Sequence, residues 1–186
     1  DTRTRASRIK LIAFDIDGVM TDGGLHYTDD GGELKTFNVQ DGLGLKLLQR
    51  AGLELAIVTG RNSGVVAARA ADLGIVHVFQ GVGDKRATVE GLLTTLGLSW
   101  ADCAFMGDDL IDLAVMAQCG LAIAPANARP IVRERAHAVT DAAVHDSQVF
   151  EELLDEHNSS RDVYADSAYR SEESLKRLEE LKFREH

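Results

Sequence analysis

The amino-acid sequence predicts an α/β fold: a parallel sheet with helices on both faces and one small β-hairpin inserted after the first strand. Three observations predict it. Five short apolar runs recur between residues 9 and 125. Between them lie amphipathic stretches of helix length, each closing on a glycine. All seventeen glycines fall between Gly18 and Gly120, the span in which strand and helix ends must alternate. Continuous apolar runs of this length are buried on both faces, as strands of a parallel sheet are, and a glycine after an amphipathic stretch marks a helix end.

Taken in order, IKLIAFDID (residues 9–17) reads as the first strand. In GGLHYTDDGGELKTFNV, residues 25–27 and 34–39 flank a DDGG turn and read as a hairpin. DGLGLKLLQRAG then gives a helix, LELAIVTG the second strand and NSGVVAARAADLG a second helix. VHVFQ is the third strand, followed by the helix DKRATVEGLLTTLG. CAFMGD and LAIAP are the last two strands, joined by LIDLAVMAQCG. No internal repeat or low-complexity tract interrupts the pattern.

The 186 residues suffice for one domain with an attachment, and the glycine-free stretch after Gly120 places a boundary near Asp141. Residues 1–140 form the domain, with net charge −3; residues 141–186, the attachment, carry −7. A total of −10 repels polyanions and disfavours a nucleic-acid or anionic-membrane surface, so an anionic substrate needs a local nest of cations or metal. Cys103 and Cys119 are too few for a disulfide framework and lack zinc spacing. The six histidines match no metal motif. No apolar run approaches the roughly 20 residues that span a bilayer, and DTRTRASRIK lacks the apolar core of a secretion signal, so a cytoplasmic location is expected.

In open α/β sheets ligands sit beyond the carboxyl ends of the strands. There the sequence places Asp15-Ile16-Asp17-Gly18, then Thr59-Gly60-Arg61, then Gly107-Asp108-Asp109-Leu110-Ile111-Asp112, with Lys85 opening the helix after the third strand. Crowded carboxylates repel one another and invite a hard divalent cation, and a hydroxyl, a lysine and helix N-termini beside it make a phosphate cradle. Singly, each residue has an ordinary use. An Asp caps a turn, a Thr ends a strand, and Lys85 or Asp112 is one more solvated charge. Four pieces in order, each at a strand end or helix start, exceed that explanation. Asp109 is better read as a helix cap than as a metal ligand.

This set resembles the four motifs of the haloacid dehalogenase superfamily, matched as Asp15/Asp17, Thr59, Lys85 and Asp108/Asp112. The resemblance implies a Rossmann-like sheet with the hairpin in place of a cap domain. It implies Asp15 as nucleophile, Asp17 as proton donor and later base, and Mg2+ held by Asp15, the Asp17 backbone carbonyl and Asp108. Thr59 and Lys85 would grip the transferring phosphoryl group, and Asp112 would orient Lys85 or the waters of the metal. Over residues 8–140 the sequence is more closely similar to the branch that hydrolyses 3-deoxy-D-manno-octulosonate 8-phosphate, in lipopolysaccharide precursor synthesis, and to relatives acting on acylneuraminate 9-phosphate. That branch implies substrate contacts from Asp17, Asn38, Val39, Asp41, Gly42, Arg61, Arg69 and Lys85. It also implies a homotetramer whose subunits close one another's sites through the hairpin and a glycine-rich tail. For Arg69 an exposed helix face is the competing reading. Where the branch has FNVRDG, this chain has Gln40 in place of the arginine, with Lys46 one helical turn past Gly42. Hydrolysis of another small phosphate ester, phosphomutase activity, and a non-catalytic remnant are the alternatives.

The expected glycine-rich tail is replaced. VHDSQVFEELL and VYADSAYRS resemble a fragment of DDE-type insertion-sequence transposases, with Asp166 as the middle carboxylate of a triad whose other members are absent. One acid cannot assemble a two-metal centre, so transposase activity is excluded. SEESLKRLEELKF predicts a short amphipathic helix with a capping start at Ser171 or Ser174, and Phe150, Leu153 and Leu154 predict another.

Overall fold

The structure is a computed structural model of the whole chain. It describes residues 1–140 and two short strands, Asp162–Val163 and Arg184–Glu185. The elements run α1 (Thr2–Ala6), β1 (Leu11–Phe14), β2 (His26–Tyr27), β3 (Glu33–Leu34), α2 (Val39–Arg50), β4 (Glu54–Val58), α3 (Gly64–Leu73) and β5 (His77–Phe79). They continue with α4 (Lys85–Leu96), β6 (Cys103–Met106), α5 (Leu113–Met116), β7 (Leu121–Ala124), α6 (Pro130–Arg135), β8 (Ala138–Val139), β9 (Asp162–Val163) and β10 (Arg184–Glu185).

Six strands pair in the order β5-β4-β1-β6-β7-β8, all parallel. Ala13 of β1 lies opposite Ala56 of β4 on one side and Phe105 of β6 on the other. From β1 the chain winds outward to β5, returns through α4 to β6 and winds outward the other way. The switch point is therefore the crevice between the ends of β1 and β6, where an open α/β sheet binds ligands. β2 and β3 pair antiparallel as a separate hairpin.

Alternation along the strands divides the core. Ile12, Phe14, Leu55, Ile57, Met106 and Ile123 face α1, α2 and α3 through Ala6, Leu45, Leu48, Val66, Ala70 and Leu73. Leu11, Ala13, Val58, Phe105 and Ala124 face α4, α5 and α6 through Val89, Leu92, Leu93, Val115 and Val132. Each large side chain so buried contributes about 1.5–3 kcal/mol, and burial on both sides explains why the strand sequences are continuously apolar. The helix ends follow the sequence. Ser63 and Asp84 cap α3 and α4, and Gly74 and Gly97 end those helices in the left-handed conformation.

The five expected strands and the hairpin all form, with two corrections to the element boundaries. The second hairpin strand ends at Leu34 instead of reaching Val39, because the Asn38 carboxamide accepts the Gln40 N–H and starts α2 at Val39. The helix expected over residues 110–120 is a 3-10 turn at Leu110–Asp112 followed by the four-residue α5. There the Asp112 carboxylate folds back to accept the N–H groups of Asp108 and Asp109, which tightens the turn. Helices α1 and α6 and strand β8 carry too little periodicity to be read from sequence. The tail helices and the Asp166 motif lie outside the described residues; the two described tail strands, β9 and β10, pair in parallel. Among the described residues no helix is long and apolar enough to cross a membrane.

Candidate active site

β1 stops at Phe14, but the Asp15 N–H still donates to the Met106 carbonyl at 3.0 Å, so this carboxylate leaves the sheet edge in a fixed direction. The chain then curls: the Ile16 carbonyl accepts from Val19, Met20 and Thr21. Gly18 sits in this curl at φ +87°, and a Cβ there would overlap the Asp108 carboxylate. Only glycine combines that backbone with so close an approach of the second aspartate. Asn127 ties the curl to the loop after β7, its amide donating to the Gly18 carbonyl at 2.8 Å.

Lys85 is the first residue of α4 and is buried. Its Nζ lies 2.8 Å from Asp15 Oδ2 and 2.7 Å from Asp112 Oδ1. Asp112 is fully buried, and its other oxygen accepts two backbone N–H groups at 3.1 Å. Gly107 makes this possible, since a Cβ there would fall 2.5 Å from the Asp112 side chain.

Oxygens of Asp15, Asp108 and Asp112 all lie within 4.8 Å of one another. Three carboxylates share one lysine. The imbalance shows in their proton affinity: burial first, then the charges of Asp15, Asp112 and Asp109, pushes Asp108 up to about 6. Burial also raises Asp15, against the opposing pull of Lys85. Hard, crowded, under-neutralised oxygens are the donor set of a divalent cation such as Mg2+, so these residues fit the metal.

Thr59 follows β4 and is buried, with its backbone fixed by bonds to Phe79 and Val82. Asp109 caps the 3-10 turn and pairs with Arg129 at 2.6 Å; it is outside the carboxylate cluster.

The Asp17 side chain is also outside that cluster and turns towards the hairpin. Its Oδ1 lies 2.5 Å from Lys35 Nζ and its Oδ2 3.6 Å from Arg61 Nε. Arg61 Nη2 donates to the Tyr27 hydroxyl at 3.0 Å and to Glu33 at 3.1 Å. Hydrogen bonding from Ser63 first, with help from Lys35 and Arg61, holds the Glu33 carboxyl below its ordinary range. Lys35, Glu33, Tyr27 and Ser63 escaped the sequence reading. The available signal was the two-residue spacing of Glu33 and Lys35, which puts both on one face of the hairpin's return.

The 38–42 segment opens α2. Asn38 caps it, Val39 and Gln40 are exposed, Gly42 is buried, and Asp41 is half-buried and engaged. Arg69 Nη2 donates to the Asn38 carbonyl at 3.2 Å, with its guanidinium 5.6 Å from the centre of the Phe37 ring. A Cβ on Gly42 would come within 2.5 Å of that Nη2. Arg69 thus packs on the segment's backbone, and Lys46 is exposed.

Comparison with known proteins gives a consistent result. The model of the haloacid dehalogenase-like hydrolase family matches residues 62–153. The chain is 45% identical over 140 residues to the 3-deoxy-D-manno-octulosonate 8-phosphate phosphatase KdsC of Yersinia pestis, covering 75% of each chain. It is 41% identical over 143 residues to the phosphatase of the same name from Escherichia coli K12, covering 77% of this chain and 76% of that one. Among solved structures it superposes with a TM-score of 0.78 on the Moraxella catarrhalis phosphatase in complex with magnesium, phosphate and a KDO molecule. That match is 40% identical and covers 82% of this chain and 90% of the other.

Proposed function

The chain belongs to the haloacid dehalogenase-like hydrolases, and from that membership we propose that it is a magnesium-dependent phosphatase hydrolysing 3-deoxy-D-manno-octulosonate 8-phosphate to the free sugar acid and phosphate. One observation carries the substrate: identity of 41–45% to phosphatases of that name over about three quarters of each chain.

The geometry supports the following residue roles, which the family membership suggests. A carboxylate oxygen of Asp15 attacks phosphorus, the bond from phosphorus to the sugar's ester oxygen breaks, and Asp17 gives that oxygen its proton. Water then attacks the aspartyl-phosphate, Asp17 takes the water's proton, and the phosphorus–Asp15 bond breaks. Both carboxyls return to their starting states. A carboxylate approaches a phosphate dianion only where positive charge offsets the repulsion. Lys85 supplies part of it, held at the reacting end of Asp15 by Asp112. Asp15 and Asp108, with the Asp17 backbone carbonyl, would hold Mg2+, which neutralises the phosphate's charge when bound. The Thr59 hydroxyl binds the phosphoryl oxygens. Asn38, Val39, Asp41 and Gly42, with Arg61 and Arg69, face the sugar acid, whose carboxylate suits an arginine fork. The enzyme works in the cytoplasm as a homotetramer.

Phosphate release from this ester, with magnesium and with chelator, tests the reading beside Asp15→Asn. Expected are magnesium-dependent release and a loss of at least roughly a thousandfold in the variant. Equal release with chelator, or an active variant, overturns the mechanism. Preference for acylneuraminate 9-phosphate would move the substrate to a nine-carbon acid, the change that Gln40 makes worth testing.

A further inference from the structure

The proton-transfer scheme leaves one buried cation unused. Lys35 sits just past β3, outside the four motifs, and its side chain is only 1% exposed. A lysine is buried this deeply only against partners. Its partners are Asp17 Oδ1 at 2.5 Å and Glu33 Oε1 at 3.4 Å. Asp17 Oδ2, by contrast, has Arg61 Nε at 3.6 Å, beyond hydrogen-bonding reach. The two oxygens of one carboxyl are thus unequal: one is hydrogen-bonded to Lys35, the other carries only the longer ion pair to Arg61.

We propose that Lys35 is a positioning residue for the proton transfer. By fixing Oδ1 it stops the Asp17 carboxyl from turning about its Cβ–Cγ bond and leaves Oδ2 as the oxygen that gives and takes the proton. Glu33 completes the arrangement: it accepts from Arg61 Nη2 at 3.1 Å while also facing Lys35, which keeps both cations beside Asp17. The hairpin therefore does more than cover the sheet edge, because its return strand sets the aim of the proton donor. A carboxyl free to rotate reaches the leaving oxygen in fewer encounters, and orientation of this kind governs rate more than binding.

This inference rests on Asp17 being the proton donor, and the test separates the two. The value of kcat/KM reports the first chemical step, so it is measured for the alkyl sugar phosphate and for p-nitrophenyl phosphate, whose leaving oxygen needs little protonation. In Lys35→Met the alkyl ester is expected to lose roughly tenfold to a hundredfold, chiefly in kcat, and the aryl ester about ten times less. Lys35→Arg should recover part of the alkyl rate. Lys35→Gln allows the same within-variant comparison if the methionine variant does not fold. Equal losses on both esters, the mark of a purely structural lysine, or no loss on either overturn the inference. Asp17→Asn is the reference. If it is selective against the alkyl ester and the lysine variants are not, the inference alone fails. If Asp17→Asn strikes both esters equally, the proton-donor reading fails and the inference with it.

Discussion

Asp108 carries the electrical signature of the site. Its carboxyl is raised from 3.8 to about 6, by burial first and by its acidic neighbours next. The folded protein therefore keeps a proton that the unfolded chain has already released between those values. The stability this group contributes is present below the unfolded value and is lost as pH rises through about 6. Asp15, raised in the same direction, adds to the trend. A bound divalent cation replaces that proton, so magnesium should stabilise the protein more above pH 6 than below it. Thermal melts with magnesium and with chelator across this range check the expectation, and a magnesium-induced rise in Tm that does not depend on pH contradicts it. The motif aspartates and Thr59, at strand ends, and Lys85, at a helix start, are legible in sequence because the proposed phosphoryl chemistry restricts those positions to such residue types. Lys35 is not. Its importance is a contact with Asp17, eighteen positions away, made only when the hairpin folds over the site.

At the level of elements, the hairpin is the part that needs support. Two strands of two residues are marginal in water, and this pair is held to the sheet end through Arg61 and Lys35. Ser63 caps α3, its hydroxyl oxygen accepting the Val66 N–H. Ser63→Ala should cost about 1 kcal/mol in urea unfolding from the lost cap. The strands were legible as continuous apolar runs, and α2, α3 and α4 because each repeats a helical period over at least ten residues. α1, α6 and β8 were not, being too short to show one. The end of the hairpin was misplaced because Phe37 and Val39 continue an alternating pattern that the Asn38 cap cuts off.

For the molecule as a whole, the sheet is complete by Thr140, whose N–H donates to the Ala124 carbonyl beside β8. On this basis we place the domain boundary there and expect residues 1–140 to fold alone. The hairpin exposes Leu25, Tyr27 and Leu34, an apolar surface that the proposed tetramer would bury. A chain cut after Thr140 should melt within a few degrees of the full chain and show, by light scattering, the mass of four copies. A monomer from both chains would end the shared-cap account, and a monomer from the cut chain alone would assign assembly to residues 141–186. By itself the sequence determined the fold class and the family, and it marked the residues proposed for the phosphoryl chemistry, because strand burial and phosphate charge each restrict residue type locally. The tertiary structure alone decided which oxygen of Asp17 is anchored, why Gly18, Gly42 and Gly107 have no side chain, and that Arg69 leans on the Asn38 carbonyl. Those are distances between residues far apart in sequence, and no local pattern encodes a distance.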